Sequence, residues 1–260
     1  MFNVTKLFQT IITSLMALML LLAVAPVSAD NKERLFAAWE LWYPYQFNNE
    51  VGELAGVDIE FFNAVMMEAN LNYSIDEVAW TQQLSMLKEG QIDVAMGVSK
   101  TPARESFAHF SIPYRQERVH LFVKKGNVSN YQLPTLASLA GTKLKIGTEQ
   151  GYYYGDLFDQ LSDDPNFTAR FHEVVGVEEN IRMVLNGKLD GLLADPNTMR
   201  ATLDRLQLTG KFEAHPLSIY STDIHFMFSK RSVPEKTVKI INDAIVALQR
   251  NGKAQALLGI

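Results

Sequence analysis

The spacing of apolar residues changes repeatedly along the chain and predicts strands and helices in turn. Short apolar runs of strand type are separated by segments in which apolar residues recur at helical spacing. In the first half the predicted elements are strand 34–41, helix 56–71, strand 72–80, helix 81–90 and strand 91–98. We expect Asp58 to cap the first helix and Thr81 the second, which should stop at Gly90. Strands that alternate with helices favour an α/β fold with mostly parallel sheets.

The second half of the chain repeats this order of elements. The predicted elements are strand 141–151, helix 151–161, helix 178–187, strand 188–195, strand 223–230 and helix 233–252. The segments MLKEGQIDVAMG (86–97) and MVLNGKLDGLLA (183–194) match as a helix, a Gly stop, an Asp and an apolar strand. This internal similarity predicts that Ser99 and Asp195 lie at equivalent strand ends of two facing lobes. Ligands of open α/β sheets bind beyond such strand ends.

Composition excludes several classes of function. The chain has 47% hydrophobic and 20% charged residues, as in a globular protein, and its net charge of -5 includes no basic block for nucleic acid. It has no cysteine, which excludes disulfides and a lipid on an N-terminal Cys. The histidines are scattered without metal-ligand spacing, so we expect neither a metal nor a cofactor.

Residues 1–29 have the pattern of a secretory signal peptide. An apolar stretch at 11–25 is followed by Val27 and Ala29, the small residues that an export peptidase requires. The alternative is an uncleaved anchor, but the stretch is short for a span of about 20 residues. We therefore expect a soluble protein in the periplasm that is not a lipoprotein.

Four segments in a fixed order carry a family resemblance: WYPYQFNNEVGELAGVDIEFFNAV, WTQQLSMLKEGQIDVAMGVSKTPARESFAHFSIPY, LASLAGTKLKIGTEQG and LNGKLDGLLAD. With them the chain resembles the extracytoplasmic solute-binding proteins of polar amino-acid ABC transporters. The resemblance implies a two-lobed periplasmic-binding-protein type II fold. Each lobe would be a central, mostly parallel sheet flanked by helices, joined by two hinge segments near 116–120 and 219–224. Lobe 1 would comprise 30–117 plus 223–260, and lobe 2 would comprise 118–222.

The resemblance also implies how the head group of an amino acid would be bound. Arg104 in the Thr-Pro-Ala-Arg loop would take the α-carboxylate, because a guanidinium meets both oxygens of a carboxylate. Ser99 would bind the ligand through its hydroxyl and N–H, and the Gly97 carbonyl would accept from the ammonium. Asp195 would pair with that ammonium. For Asp195 an alternative stays open, an Asp-Pro turn with Pro196 in which the carboxylate caps the backbone.

Aromatic residues complete the predicted site. Trp42 and Trp80 match family positions whose side chains sandwich the ligand, with core packing as the alternative. The backbone amides of Tyr152 and Tyr153 would face a carboxylate at a helix N-terminus, where many relatives carry a small hydroxyl residue instead. Glu40 lies near a family position that often contacts the ligand and is a weaker candidate.

Together these features predict periplasmic binding of a small polar solute, an amino acid above others, by cleft closure for delivery to an inner-membrane ABC permease. The protein is expected to be a monomer and not an enzyme. Two alternatives stay open: a periplasmic sensor that presents a similar solute to a membrane receptor, and a periplasmic dehydratase on the same fold.

Overall fold

The computed structural model describes residues 34–259, so the signal peptide predicted at 1–29 lies outside the described residues. The strands are β1 Leu35–Trp39, β2 Phe47–Asn48, β3 Leu54–Ala55, β4 Tyr73–Glu77, β5 Val94–Ser99, β6 Ala108–Phe110, β7 Arg115–Lys124, β8 Ile146–Glu149, β9 Phe171–Val174, β10 Gly191–Ala194 and β11 Phe212–Ser229. The α-helices are α1 Val57–Glu68, α2 Trp80–Glu89, α3 Pro102–Glu105, α4 Asp156–Leu161, α5 Pro165–Thr168, α6 Val177–Leu185, α7 Pro196–Arg205, α8 Glu235–Arg250 and α9 Lys253–Leu258. Within 34–259, no helix is long and apolar enough to cross a membrane.

The large sheet consists of two parallel halves joined by long antiparallel strands. Its strand order is β4-β1-β5-β11-β7-β10-β8-β9, and β6 pairs with β11. Strand β1 is parallel to β4 and β5, and β8 is parallel to β9 and β10. Strands β7 and β11 are antiparallel to each other. The predicted α/β class and two-lobed fold are confirmed; we call the half with β4, β1 and β5 lobe 1 and the half with β10, β8 and β9 lobe 2.

Each lobe buries apolar residues on both faces of its half-sheet. In β5, Val94 and Met96 pack against α1 and α8, whereas Ala95 between them joins the cluster on the side of α2. The largest fully buried side chains of lobe 1 include Phe61 of α1. This alternation follows from the period of two along a strand, which places successive side chains on opposite faces.

The two segments predicted as hinges lie side by side in the sheet. Strand β7 pairs with β11 over most of its length, and Tyr220 lies opposite Val119 while Thr222 lies opposite Glu117. The side chains of Glu117 and Tyr220 are hydrogen-bonded at 3.0 Å. The strands that connect the lobes therefore bring a carboxylate and a phenol together between them.

Two predicted helix caps are wrong, for the same physical reason. Helix α1 follows Gly56 as its N-cap residue, and the Asp58 carboxylate pairs with Arg115 instead of capping. Helix α2 begins at Trp80, before Thr81, and its first N–H is accepted at 2.8 Å by the Glu40 carboxylate. Partners from distant segments have replaced the local caps. The predicted stop of α2 at Gly90 is confirmed, with a left-handed φ of 76°.

Candidate functional site

A cavity of about 450 Å³, which we call the inner cavity, lies between the two lobes. Strand β5 of lobe 1 and the loop after β8 of lobe 2 both contribute to its wall. The structure brings together here the predicted site residues Trp42, Trp80, Gly97, Ser99, Arg104, Tyr152 and Tyr153.

Arg104 is a cation that forms no ion pair with the part of the chain that the structure describes. Thr101 accepts a hydrogen bond from the Arg104 N–H and so starts the short helix α3 that carries the arginine. The guanidinium donates to the Ser99 carbonyl at 2.9 Å and lies 5.1 Å from the centre of the Trp80 ring. No carboxylate within residues 34–259 comes within 4.0 Å of it. Burial lowers its pKa, but a guanidinium stays charged at neutral pH.

A glycine is required at position 97 because the surrounding atoms leave no room for a Cβ. Its φ is 73°, and a Cβ placed there would lie 2.6 Å from Cζ3 of Trp42 and 3.0 Å from a carboxylate oxygen of Asp58. The Gly97 N–H donates to the Tyr114 hydroxyl at 3.0 Å. The close approach of this backbone lets the Trp42 ring form the cavity wall.

Replacing Gly97 with alanine is expected to lower the free energy of unfolding by about 2–4 kcal/mol, since both the left-handed backbone and the overpacking are unfavourable. The matched control is Gly52→Ala, because Gly52 has a φ of 83° and nothing within 4 Å of the added Cβ. Urea denaturation of both variants separates backbone strain from crowding. Equal losses in the two variants would contradict the crowding argument.

An aromatic wall separates the inner cavity from a larger outer cleft of about 1510 Å³. The ring of Tyr152 packs edge-on at 6.3 Å from Trp42 and 6.4 Å from Trp80. The Tyr152 hydroxyl donates to Glu40 at 3.1 Å, and the Trp80 indole N–H donates to the Gly151 carbonyl at 3.0 Å. These bonds connect lobe 1 to lobe 2 across the wall, and Glu40 lines both spaces.

The Tyr152 and Tyr153 amides do not lie at a helix N-terminus, and the predicted use of the Tyr152 amide is wrong. Helix α4 begins only at Asp156, after Gly155, whose φ of 99° turns the chain into the helix. The Tyr152 N–H donates to the Glu149 carbonyl instead. Both tyrosines reach the inner cavity with their side chains.

Asp195 is the one predicted site residue that the inner cavity does not include. Its carboxylate caps helix α7, with the Oδ1 atom accepting from the N–H groups of Asn197 at 2.9 Å and Thr198 at 3.0 Å. The same oxygen accepts from the Tyr45 hydroxyl at 3.0 Å. The structure thus shows the capping alternative, and Asp195 borders a different surface cavity.

Glu117 is a cavity residue that the sequence analysis missed. It is only 8% exposed, and its Oε2 atom accepts from the Tyr220 hydroxyl at 3.0 Å. Burial raises the pKa of Glu117 to about 7; Arg115 acts in the opposite direction and Asp195 adds to the increase. Strand β7 buries Arg115, Glu117 and Val119 at alternate positions. A charged residue at a position on the buried face of a hinge strand is the signal that could have identified Glu117.

Carboxylates outnumber cations around the inner cavity. Burial raises the pKa of Glu40, although the Trp80 N–H and the Tyr152 hydroxyl both stabilise its charged form. Burial also raises the pKa of Glu149 to about 8, and the nearby charges of Glu40 and Glu117 add to the shift. Within residues 34–259, no group of three or more His, Cys, Asp or Glu side chains is arranged to hold a metal ion.

Comparison with known proteins agrees with this architecture. The sequence profile of the bacterial extracellular solute-binding proteins, family 3, matches residues 36–259. The chain is similar to the L-cystine-binding protein TcyJ of Escherichia coli, with 26% identity over 226 residues that cover 82% of this chain and 76% of the relative. It is also similar to a probable histidine-binding protein of Neisseria gonorrhoeae, with 25% identity over 234 residues that cover 89% and 83%.

Among solved structures, the amino acid ABC transporter substrate-binding protein AbpA from Streptococcus pneumoniae, bound to L-arginine, is similar with a TM-score of 0.73. The identity is 19%, and the alignment covers 87% of this chain and 92% of that one. At this level of identity the likeness establishes the fold.

Proposed function

The chain belongs to the bacterial extracellular solute-binding proteins, family 3, and from this premise we propose that it captures an amino acid in the inner cavity and delivers it to an ABC permease. The observation that carries the proposal is the Arg104 guanidinium at the wall of the inner cavity, with no carboxylate of residues 34–259 within 4.0 Å. A ligand carboxylate would accept two hydrogen bonds from the free N–H groups of Arg104, as a bidentate pair. Trp80, over which the guanidinium lies, would exclude water from that pair.

Binding would be coupled to closure of the lobes. Hydrogen bonds that cross the cavity, such as Trp80 to Gly151 and Tyr152 to Glu40, form only when the lobes approach each other. A ligand that touches both lobes favours this closed form, because it makes contacts that the open form lacks. The predicted boundaries, 30–117 plus 223–260 and 118–222, describe the two bodies that would move.

The charges around the inner cavity favour a cationic amino acid. Glu40 and Glu117 both line the cavity, where Arg104 is the cation that faces them. A zwitterion would leave one negative charge without compensation, whereas L-arginine or L-lysine would balance it. Relatives and structural neighbours are named for cystine, histidine and arginine, and all of these are amino acids.

Location and partner follow from the family and from the predicted signal peptide. Proteins of this family are extracellular solute-binding proteins. Export across the inner membrane would place the protein in the periplasm, where the closed form would dock on the permease. Loss of radiolabelled amino-acid uptake in a deletion strain, restored by the full-length gene, would support this partner; unchanged uptake would favour the sensing alternative.

A thermal-shift screen of the purified protein tests the proposed function. The screen contains the standard L-amino acids, L-cystine, polyamines, and small organic acids including prephenate and arogenate. We expect L-arginine to raise Tm by mass action, because it binds the folded state alone. Absence of a shift with every amino acid would overturn the proposal. Turnover of prephenate or arogenate would favour the dehydratase alternative.

A further inference from the structure

We propose that Glu117, a residue of hinge strand β7, receives the α-ammonium of the bound amino acid in place of Asp195. The inference rests on the proposed function, because it names the anionic half of the same site. It assigns the two ends of the amino-acid head group to Arg104 and Glu117. It also predicts that a proton is released when the ligand binds.

The first argument is that Glu117 is a buried carboxylate with spare capacity. It lines the same cavity as Arg104. No Lys, Arg or His nitrogen of residues 34–259 lies within 4.0 Å of its carboxylate. The side chain accepts one hydrogen bond, from Tyr220 to Oε2, which leaves Oε1 without a donor in the described chain. A buried carboxylate in this state is stabilised by a cation that supplies the missing donors.

The second argument is that Asp195 lies outside the inner cavity and that its Oδ1 atom is already engaged. Its Oδ1 atom accepts from Asn197, Thr198 and Tyr45, and it starts helix α7. Moving this carboxylate to a ligand would leave the helix N-terminus uncapped, at a cost of about 1 kcal/mol. It would also leave the partly buried Tyr45 hydroxyl without this acceptor. Asp195 lies outside the inner cavity in any case.

A third observation places Glu117 in a chain of hydrogen bonds between the lobes. Tyr220 donates to Glu117, so its hydroxyl oxygen is free to accept from Ser99, whose Oγ lies 3.4 Å away. Ser99 also provides the carbonyl that accepts from Arg104. An ammonium on Glu117 and a carboxylate on Arg104 would thus be held at opposite ends of one connected set of groups.

Proton release follows from the surroundings of Glu117. The titratable groups that act on it from the neighbouring elements are Arg115, Asp58, Asp195, Tyr220, Arg104, Glu149 and Tyr154. With these groups and its burial, Glu117 has a pKa of about 7 and is partly protonated at neutral pH. An ammonium at hydrogen-bond distance lowers that pKa, so the proton leaves as the ligand binds.

The experiment measures the affinity for L-arginine between pH 5 and pH 8 in the wild type and in Glu117→Gln. If another L-amino acid gives the larger shift in the screen, it replaces L-arginine with the same expectation. We expect wild-type affinity to fall about 10-fold per pH unit below pH 7 and to level off above it. Glu117→Gln should bind at least about 10-fold more weakly at pH 8 and equally at pH 5.

A second measurement needs no variant. The probe is 5-guanidinopentanoate, which is L-arginine without its α-ammonium, and its affinity should lack the wild-type pH dependence below pH 7. Calorimetry in two buffers of different ionisation enthalpy should show proton release with L-arginine and none with the analogue. Asp223→Asn, an exposed carboxylate on the paired hinge strand, is the matched control and should reproduce the wild-type curve.

The outcomes separate the two proposals. If no amino acid binds the wild type, the proposed function fails and this inference fails with it. If L-arginine binds and the pH dependence persists in Glu117→Gln or with 5-guanidinopentanoate, the proposed function stands and the role of Glu117 is wrong. A variant that binds equally to wild type at pH 8 would overturn it in the same way.

Discussion

Arg104→Ala is expected to weaken binding of L-arginine by at least about 30-fold, because removing one partner of a desolvated, hydrogen-bonded charge pair costs about 2–5 kcal/mol. In the wild type no carboxylate of residues 34–259 lies within 4.0 Å of the guanidinium, which donates one hydrogen bond within this range, to Ser99. Nearly all of its pairing capacity is therefore available to the ligand. Isothermal titration calorimetry at pH 8, where Glu117 is mostly ionised, gives the affinity of both proteins.

Agmatine provides the control for this prediction, since it is L-arginine without its carboxylate. Arg104→Ala should change agmatine binding much less than L-arginine binding, because the lost partner is absent from that ligand. Lys100→Ala is the matched control variant: Lys100 is a cation of the same loop, paired with Glu105 at 2.7 Å and outside the cavity. Equal losses with both ligands would assign Arg104 to loop structure instead of carboxylate binding.

The period of the apolar residues was sufficient to predict the α/β class, and the family resemblance implied the two-lobed fold. Strands and helices appear in the predicted order, and Gly90 ends its helix as expected. The similarity between segments 86–97 and 183–194 also has a structural counterpart. Asp93 accepts from the N–H of Phe36 and Asp190 accepts from the N–H of Lys145, each at 2.8 Å and each at the start of a neighbouring strand. Local pattern encodes the strands, the helices and the Gly90 stop because these depend on residues close in the chain, whereas the two aspartates bond to residues 57 and 45 positions away.

The helix starts were harder to predict because distant residues determine them. Thr81 has the side chain of a cap, yet Glu40, which is 40 residues from Trp80, accepts the first N–H of helix α2. Asp58 is likewise drawn away by Arg115, which is 57 residues distant. A short polar side chain offers a local hydrogen bond, but a buried charge that needs a partner decides the competition.

Prediction of the site residues was limited in the same way, by contacts between residues distant in the chain. Residues at the end of β5 were predictable, since a strand that ends in polar groups usually borders a site. The position of Asp195 was not, because its role depends on Tyr45, which is 150 residues away. Glu117 was missed because it belongs to a segment that the family resemblance assigned to the hinge. Its neighbour Tyr220 comes from the other crossing strand, and only the pairing of β7 with β11 brings them together.

Asp58→Asn is expected to lower the free energy of unfolding by about 3–5 kcal/mol, because it leaves a buried cation unpaired. The Asp58 side chain is fully buried and that of Arg115 is 4% exposed; their two hydrogen bonds are 2.7 and 2.9 Å long. Arg115 lies 3.9 Å from the centre of the Tyr45 ring and 4.9 Å from that of Trp42. Urea denaturation at pH 7 measures the loss.

Two further variants make this prediction specific to the unpaired charge. Asp243→Asn removes an exposed partner of Lys239, and such surface pairs contribute less than about 1 kcal/mol. The double variant Asp58→Leu with Arg115→Met removes both buried charges and should recover most of the loss. If the double variant is as unstable as Asp58→Asn, packing instead of charge holds helix α1 against β7.

Because Arg115 also supports the Trp42 ring, Asp58→Asn should weaken L-arginine binding as well, whereas Asp243→Asn should leave it unchanged.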